Sequence, residues 1–364
     1  MTARRFAHGC NYPWSADGGR IFYGLDFGAN VWGSHLGVST RRAAVERDFA
    51  EMASLGLRVV RWFVFCDGRA GIMYDDRDLP AGLDPHFFHD LDAALEIAAA
   101  QDIGLDLVLL DHTWMFSGVR AVVPDPITGG AFEARLPRGR GHVLHSEAGR
   151  SALFAHVIEP LVRRYGSGGE RVDLAQAISA YEFMNEPDFV IEEWEEVNTL
   201  VATPLPFSVV AGLVTRLSGQ VHRHSRALTT IGCARARNLW AWEDPALGLD
   251  LLQVHTYPDT RHPRHDVDLY GLPPSALGVT REVLLGEFPG DAPHRAPRGK
   301  SPPATTLEQY LEFALEQGYV GAWPWSFSGT DAYGPIPHEP LLAFARRHPE
   351  LVNPRCRALT GLPA

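Results

Sequence analysis

Cysteine and long apolar runs are scarce in this chain of 364 residues. The four cysteines, Cys10, Cys66, Cys233 and Cys356, follow no metal-ligand spacing, which favours buried, reduced thiols. No apolar run is long enough to cross a bilayer, and no signal-peptide core follows the arginines near the N-terminus. We therefore predict a cytoplasmic protein without a membrane span.

Basic charge is also in short supply. The chain has 33 Lys and Arg against 44 Asp and Glu, which gives a formal net charge of −11, and Lys300 is its only lysine. Nucleic acids and anionic membrane surfaces would repel such a chain, so we predict neither as a partner. Neutral small molecules, including sugars, stay compatible with this charge, whereas the oligomeric state is left open.

Short apolar runs rich in β-branched residues alternate with segments of helical periodicity along the whole chain. Eight such runs are candidate strands: 6–12, 57–65, 105–110, 180–184, 229–233, 251–254, 283–285 and 319–323. Strands that alternate with helices predict a parallel sheet, and eight βα units close into a barrel. Because no break in composition divides the chain, we predict an α/β fold in which residues 1–364 form a single (β/α)8 TIM barrel.

Three helix ends are readable from the sequence. Gly56 can supply the left-handed residue after the first helix, and Asp84 is a candidate N-cap for the second. Thr306 and Gln309 have the spacing of a capping box. Long segments follow three of the strands, at 114–146, 288–305 and 327–339, and a barrel carries such loops on its C-terminal face.

Two glutamates stand at the ends of predicted strands. Asn185-Glu186-Pro187 closes the fourth strand and Gly286-Glu287-Phe288 closes the seventh. The C-terminal ends of barrel strands meet at one face, so both carboxyl groups are expected in one pocket. Paired carboxyl groups of this kind serve glycosidic bond cleavage, in which one donates a proton and the other attacks carbon.

The order of the strand-end motifs resembles the retaining glycoside hydrolases of clan A, most closely the cellulase- and mannanase-like family five. The resemblance extends along the whole chain. Its motifs are Gly56-Leu57-Arg58-Val59-Val60-Arg61, Asn185-Glu186-Pro187, His255-Thr256-Tyr257, Gly286-Glu287-Phe288 and Trp325-Ser326. The chain departs from family five at Arg58, where asparagine is common, and in the segment after the first strand.

The resemblance implies roles for the two glutamates and for two neighbours. Glu186 would be the general acid and base, with a pKa raised by burial and by the other carboxylate. Glu287 would be the nucleophile, kept ionised and oriented by Arg61 and Tyr257. An arginine in an apolar strand needs a carboxylate partner, and Glu182 is the structural alternative to Glu287.

Six further residues are candidates for contact with the sugar. They are Asn185, His255, His112, Trp325, Asp26 and Trp323. The resemblance implies that Asn185 binds the C2 hydroxyl and that Trp325 stacks under the sugar. Alternatives stay open, because Asn185 also suits a turn, His255 and His112 also suit structural roles, and Trp323 also suits the core.

These residues predict a retaining β-glycosidase, with exo-action on short oligosaccharides or small glycosides favoured over endo-action. A catalytically silent sugar-binding barrel and a transglycosidase are the alternatives. No Gly-rich phosphate loop or dinucleotide motif follows any strand, so we predict no organic cofactor. His262, His265 and Asp266 lie in a polar, proline-broken segment, which we interpret as a solvated loop, and no metal site is predicted.

Overall fold

Eight parallel strands close into a barrel in the computed structural model, which describes residues 6–15, 24–124, 130–136, 139–257, 269–290, 306–329 and 335–351. The barrel strands are β1 (Ala7–Asn11), β2 (Val59–Phe63), β5 (Gly104–Asp111), β8 (Ile178–Asn185), β9 (Leu228–Cys233), β10 (Leu252–His255), β11 (Val283–Pro289) and β12 (Gly321–Trp325). Each strand pairs with its neighbour in the chain order, and β12 closes the circle against β1. All eight predicted strands and the (β/α)8 fold class are confirmed.

Helices surround this barrel. They are α1 (Arg42–Ser54), α2 (Phe87–Ala100), α3 (Gly141–His145), α4 (Glu147–Leu153), α5 (Glu159–Tyr165), α6 (Phe207–His224), α7 (Leu307–Gln317) and α8 (His338–Arg347). The capping box of Thr306 and Gln309 begins α7, as predicted, and Gly56 adopts a φ of 80° after α1. The predicted N-cap at Asp84 is wrong. Residues 85 and 86 form a turn, so helix α2 begins at Phe87 with His86 at its N-cap, and the Asp84 carboxylate accepts the backbone N–H groups of Ala29 and His86 ahead of the helix.

Two hairpins extend the loops of the barrel, and the sequence patterns did not predict them. Strands β3 (Ile72–Tyr74) and β4 (Pro80–Leu83) follow β2, whereas β6 (Val119–Pro124) and β7 (Ala131–Leu136) follow β5 within the predicted long loop. Most of the 288–305 loop lies outside the described residues, as do part of the 327–339 loop and the residues His262, His265, Asp266 and Cys356.

The barrel interior is layered. An apolar layer, which includes Ala7, Val59, Leu284 and Trp323, fills the end where the strands begin. A polar layer follows it towards the C-terminal face, and its buried members are Asn11, Arg61, Asp106, Glu182 and Gln253. Inward and outward side chains alternate along each strand, so Arg61 points into the barrel while Trp62 packs among the helices.

Glycine makes room for this polar layer. A Cβ atom on Gly286 would lie 1.9 Å from Gln253 Oε1, and one on Gly232 would lie 2.5 Å from Glu182 Oε1. Cys10, Cys66 and Cys233 are buried, as their apolar contexts predicted. Among the described residues, every helix is too short or too polar to cross a bilayer.

Candidate active site

The two glutamates lie side by side at the C-terminal end of the barrel. Glu186 directly follows β8 with φ 51° and ψ 54°, a left-handed conformation that is uncommon outside glycine, and its N–H donates to Gly232 O at 2.8 Å. Glu287 lies within β11. A carboxylate oxygen from each residue and a ring nitrogen of His255 all lie within 4.8 Å of one another. The fold therefore brings the two predicted catalytic carboxyl groups into one site.

Glu287 is nearly buried, and both of its oxygens receive hydrogen bonds. Arg61 Nη1 donates to Oε1 at 2.5 Å, and the Tyr257 hydroxyl donates to Oε2 at 2.8 Å. Burial raises the pKa of Glu287, while the charge of Arg61 and the hydrogen bond from Tyr257 oppose that rise. Burial outweighs these partners, whereas the sequence-based expectation was that Arg61 and Tyr257 prevail.

Arg61 binds both carboxylates that the sequence offered as alternatives. Its Nε and Nη2 donate to the two oxygens of Glu182 at 2.7 Å each, and Nη1 reaches Glu287. The planar guanidinium has five N–H donors, so two carboxylates can approach different edges of it. Arg61 is thus a structural partner of Glu182 and a direct neighbour of Glu287.

Glu186 has a different environment. Its side chain is 16% exposed against 5% for Glu287, and His255 Nδ1 lies 3.1 Å from its Oε1. Burial raises the pKa of Glu186, and the charges of His112 and Arg235 oppose the rise. Glu287 accepts hydrogen bonds from Arg61 and Tyr257, which favour its ionised form, so the two glutamates have unlike surroundings.

The surroundings shift the pKa values of the two site histidines in opposite directions. Burial lowers the pKa of His255 to about 4, so a neutral imidazole lies between the glutamates, 3.1 Å from Glu186 and 3.5 Å from Glu287. Burial alone would lower the pKa of His112, but ionised Asp111 at 3.3 Å and the nearby glutamates raise it. His112 also lies 3.9 Å from Glu186, and its ring packs near Phe189.

Asn185 lies between charged groups at the end of β8. Its Oδ1 accepts from Arg61 Nη2 at 2.7 Å, and its Nδ2 donates to Asp111 Oδ2 at 2.8 Å. These bonds connect the end of β5 to the end of β8 beside Glu186. The turn-capping alternative does not describe Asn185, because its recorded partners are side chains from other strands.

Trp325 lies half-buried at the end of β12, where a cis peptide bond joins it to Ser326. Its ring meets Trp14 and Phe63 edge to face, at 6.0 and 6.3 Å between ring centroids. This position beside the site agrees with a sugar-stacking role, which stays a prediction.

Two sugar-contact candidates lie elsewhere. Trp323 is fully buried in the apolar layer at the opposite end of the barrel, and its Nε1 donates to Ala7 O at 3.1 Å. Trp323 is therefore a core residue, as the alternative interpretation had it. Its side chain points into the barrel like that of Trp325, but Trp323 lies two residues earlier on β12, away from the C-terminal end. Assigning it to sugar contact was wrong.

The prediction that Asp26 contacts the sugar is also wrong. Asp26 is 2% exposed, and its carboxylate accepts hydrogen bonds from the backbone and hydroxyl of Ser15, from Arg41 and from the Trp62 indole. These partners hold the segment after β1 against the barrel. A carboxylate engaged in this way is unavailable to a sugar hydroxyl.

Three site residues escaped the sequence reasoning: Asn11, Asp111 and Gln253. Asn11 Oδ1 accepts from Arg61 at 3.0 Å, and Gln253 Nε2 donates to Glu182 at 2.8 Å. Asn11 and Asp111 each occupy the last position of a barrel strand. A polar residue at such a position is the signal that would have found both of them.

The same cluster of side chains could in principle bind a metal ion. Among the described residues, Glu186, His255 and Glu287 form the group whose donor atoms lie close enough to surround one. Arg61 places a permanent positive charge 2.5 Å from Glu287, which opposes a cation at the same carboxylate. The donor set therefore suits proton transfer better than metal binding.

Comparison with solved structures finds the same architecture in several carbohydrate-active enzymes. The β-mannanase of the blue mussel Mytilus edulis is 18% identical, with a TM-score of 0.66 over 93% of this chain and 90% of the mussel chain. The endo-1,4-β-mannanase of Eisenia fetida is 17% identical, with a TM-score of 0.69 over 95% of this chain and 92% of its own. An exo-β-1,4-mannosidase from Opitutaceae bacterium strain TAV5 is 18% identical, with a TM-score of 0.56, and the match covers 91% of this chain and 63% of that enzyme.

No family model and no curated protein matches the sequence. At these identities the structural likeness shows the fold alone. The chain therefore has the (β/α)8 barrel fold found in solved mannanases.

Proposed function

We propose that the chain is a retaining β-glycoside hydrolase. The observation that carries this proposal is a pair of unlike glutamates, one directly after β8 and the other within β11, with carboxylate oxygens within 4.8 Å. Retaining enzymes hold their two carboxyl groups ~5–5.5 Å apart, whereas inverting enzymes leave room for a water at about 6.5–9.5 Å. Oxygens within 4.8 Å place both carboxyl groups within reach of one anomeric carbon, and we propose the shorter, retaining separation of the two groups.

The unlike surroundings of the glutamates support separate roles. Glu287, held by Arg61 and Tyr257, attacks the anomeric carbon and forms a covalent glycosyl-enzyme, while Glu186 gives its proton to the leaving oxygen. Glu186 then removes a proton from water as the water attacks the same carbon, and the glycosyl bond to Glu287 breaks. Neutral His255, which lies against both carboxylates, adds no charge that would favour the wrong protonation state.

β-Mannosides are the substrate class that we propose to test first. The solved structures of the same fold include endo-acting mannanases and one exo-acting mannosidase. Exo-action on short oligosaccharides is the form that we propose for this chain. Digestion of manno-oligosaccharides tests it: release of mannose alone from one end supports exo-action, and mixed internal products contradict it.

Azide rescue tests the mechanism. With a dinitrophenyl β-mannoside and azide, Glu287→Ala should give the α-mannosyl azide, because azide replaces the missing nucleophile. Glu186→Ala should give the β-azide, because azide attacks the glycosyl-enzyme that the good leaving group still allows to form. Glu192→Ala, an exposed glutamate on the loop after β8, is the matched control and should give no azide product.

The outcomes separate the proposal from its alternatives. Exchange of the two products between the variants would reverse the assigned roles. If the wild-type chain binds but does not cleave aryl glycosides of the manno, gluco, galacto, xylo and fuco series, it is a sugar-binding barrel. Transfer of mannose to an added sugar in preference to water would identify a transglycosidase.

A further inference from the structure

Asn185 is held by a donor on one side and an acceptor on the other. Arg61 Nη2 lies 2.7 Å from its Oδ1, and Asp111 Oδ2 lies 2.8 Å from its Nδ2. A guanidinium can only donate, so the amide atom facing Arg61 must be the oxygen. An ionised carboxylate can only accept, so the atom facing Asp111 must be the nitrogen. The orientation of the amide is therefore set by the chemistry of its two neighbours.

Asp111 is itself firmly held. It is the last residue of β5 and 3% exposed, its Oδ1 accepts the Thr113 backbone N–H at 3.0 Å, and His112 Nδ1 lies 3.3 Å from its Oδ2. Burial raises the pKa of Asp111, but His112 and the N–H donors overcome burial and lower it to about 2. Asp111 is therefore ionised, and accepts hydrogen bonds, at neutral pH.

The amide nitrogen of Asn185 carries two hydrogens, and Asp111 engages one of them. The two bonds fix the amide plane, so the direction of the second N–H is fixed as well. Asn185 directly precedes Glu186, and a sugar whose leaving oxygen lies at Glu186 brings its C2 hydroxyl to the same side of the site. A C2 contact of this kind strengthens as the transition state forms.

We propose that Asp111 is a positioning residue that acts through Asn185, aiming the free amide N–H at the C2 hydroxyl of the sugar in the cleavage site. This inference rests on the proposed glycosidase function. On this proposal, Asp111 does not contact the substrate, but it determines how strongly kcat/KM depends on the C2 hydroxyl.

The test compares an aryl β-mannoside with its 2-deoxy analogue. Removal of the C2 hydroxyl makes the manno and gluco sugars identical, so one analogue serves both series. The wild-type kcat/KM should fall on the order of 100-fold without the hydroxyl, after correction for the higher intrinsic reactivity of the 2-deoxy sugar. That correction is the same for every variant and cancels when variants are compared.

In Asp111→Asn, the Thr113 N–H still needs an acceptor, so the new amide nitrogen faces Asn185 and opposes it, donor against donor. The fold loss in kcat/KM caused by removing the C2 hydroxyl, which we call the penalty, should then become about 10-fold smaller or more. Asp111→Ser, which retains an acceptor for Thr113 but does not reach Asn185, should shrink it too. Asn185→Ala should abolish the penalty, and adding Asp111→Asn to Asn185→Ala should change it no further.

Asp188→Asn is the matched control. Asp188 is also buried near the site, but it accepts hydrogen bonds from Ala234 and Asn238 and does not contact Asn185. This variant should slow both substrates alike and leave the penalty at its wild-type size. A general loosening of the site would reduce the penalty in Asp188→Asn as much as in Asp111→Asn, and that result would overturn the inference.

The inference and the proposed function fail differently. If Asn185→Ala abolishes the penalty and neither Asp111 variant reduces it, the inference is wrong and the glycosidase stands. If Asp111→Asn further alters the penalty in the Asn185→Ala background, Asp111 does not act through Asn185, which also overturns the inference. A wild-type chain that cleaves no glycoside would overturn both together.

Discussion

At the residue scale, Arg61 binds both Glu182 and Glu287, so a single substitution of Arg61 removes both interactions. Arg61→Met would leave Glu182 buried without its bidentate partner, and breaking a buried ion pair costs about 3–5 kcal/mol. We therefore expect this variant to lose both activity and stability. Combining it with Glu182→Met removes the orphaned charge, so thermal unfolding should recover towards the wild-type temperature while activity stays lost.

The measurements are the melting temperature and kcat/KM of both variants. Gln253 donates to Glu182 and loses this acceptor in the double variant, so we expect the melting temperature to recover in part. Recovery of activity together with stability in the double variant would mean that Arg61 serves only the fold and that Glu287 does not need it.

Tyr257 tests the proposed nucleophile Glu287 without a change of charge, because its neutral hydroxyl donates to Glu287 Oε2. Tyr257→Phe removes a donor that favours the ionised carboxylate, so the pKa of Glu287 rises further. The acidic limb of the kcat/KM profile should therefore move to higher pH, with about a 10-fold loss at the optimum.

A substrate with a good leaving group isolates this limb, since it does not need the proton of Glu186. Tyr270→Phe, at a tyrosine that is 40% exposed, is the control. An acidic limb at the same pH in Tyr257→Phe and in the wild type would exclude Tyr257 from setting the ionisation of Glu287.

At the element scale, Asp188 fastens the loop after β8 to the loop after β9. Its two oxygens accept the Ala234 N–H at 2.7 Å and the Asn238 amide at 2.8 Å. Burial raises the pKa of Asp188 from its usual value to about 7, although these donors oppose the rise. Its folded-state pKa lies above the unfolded one, so its contribution to stability is greatest below about pH 4 and declines as pH rises to 7.

Asp188→Asn removes this pH dependence and also loses one accepted hydrogen bond. We expect the variant to melt below the wild type at pH 5, with the gap narrowing as the pH approaches 8. Melting temperatures of both proteins across that range check the sign. A gap that widens with pH would mean that Asp188 is ionised in the fold at neutral pH.

At the scale of the whole molecule, the barrel holds a neutral histidine in the strand that closes it. His8 lies on β1, fully buried, with its ring 5.0 Å from Phe344 of α8, and burial lowers its pKa to about 4. An unfolded chain binds that proton near pH 6.5, so the contribution is intact above pH 6.5 and is lost as the pH falls to 4.

His8→Gln keeps a polar side chain that does not titrate. Between pH 7 and pH 4.5, the unfolding free energy of the wild type should fall by up to about 3 kcal/mol more than that of the variant. Melting temperatures of both proteins across this range should show the same difference in sign. His222→Gln, at an exposed histidine, is the control. Equal acid sensitivity of wild type and His8→Gln would place the acid-labile group elsewhere.

The sequence by itself determined the fold class, the eight barrel strands and the strand-end positions of Glu186 and Glu287. Local patterns suffice for these features, because alternating burial in strands, helix N-caps and glycine C-caps depend on residues close together in the sequence. The capping box at Thr306 is correct for this reason. The predicted N-cap at Asp84 lies two residues too early, because residues 85 and 86 form a turn before helix α2 begins.

Only the tertiary structure decided which side chains share the site. Asp26 and Trp323 have the residue types of sugar contacts, yet one is saturated by Ser15, Arg41 and Trp62 and the other packs at the opposite end of the barrel. Conversely, Asp111 meets Asn185 across 74 residues of sequence, and Arg61 joins two carboxylates from different strands. The physical reason is that barrel closure brings strand ends together, and no local pattern records which of them touch.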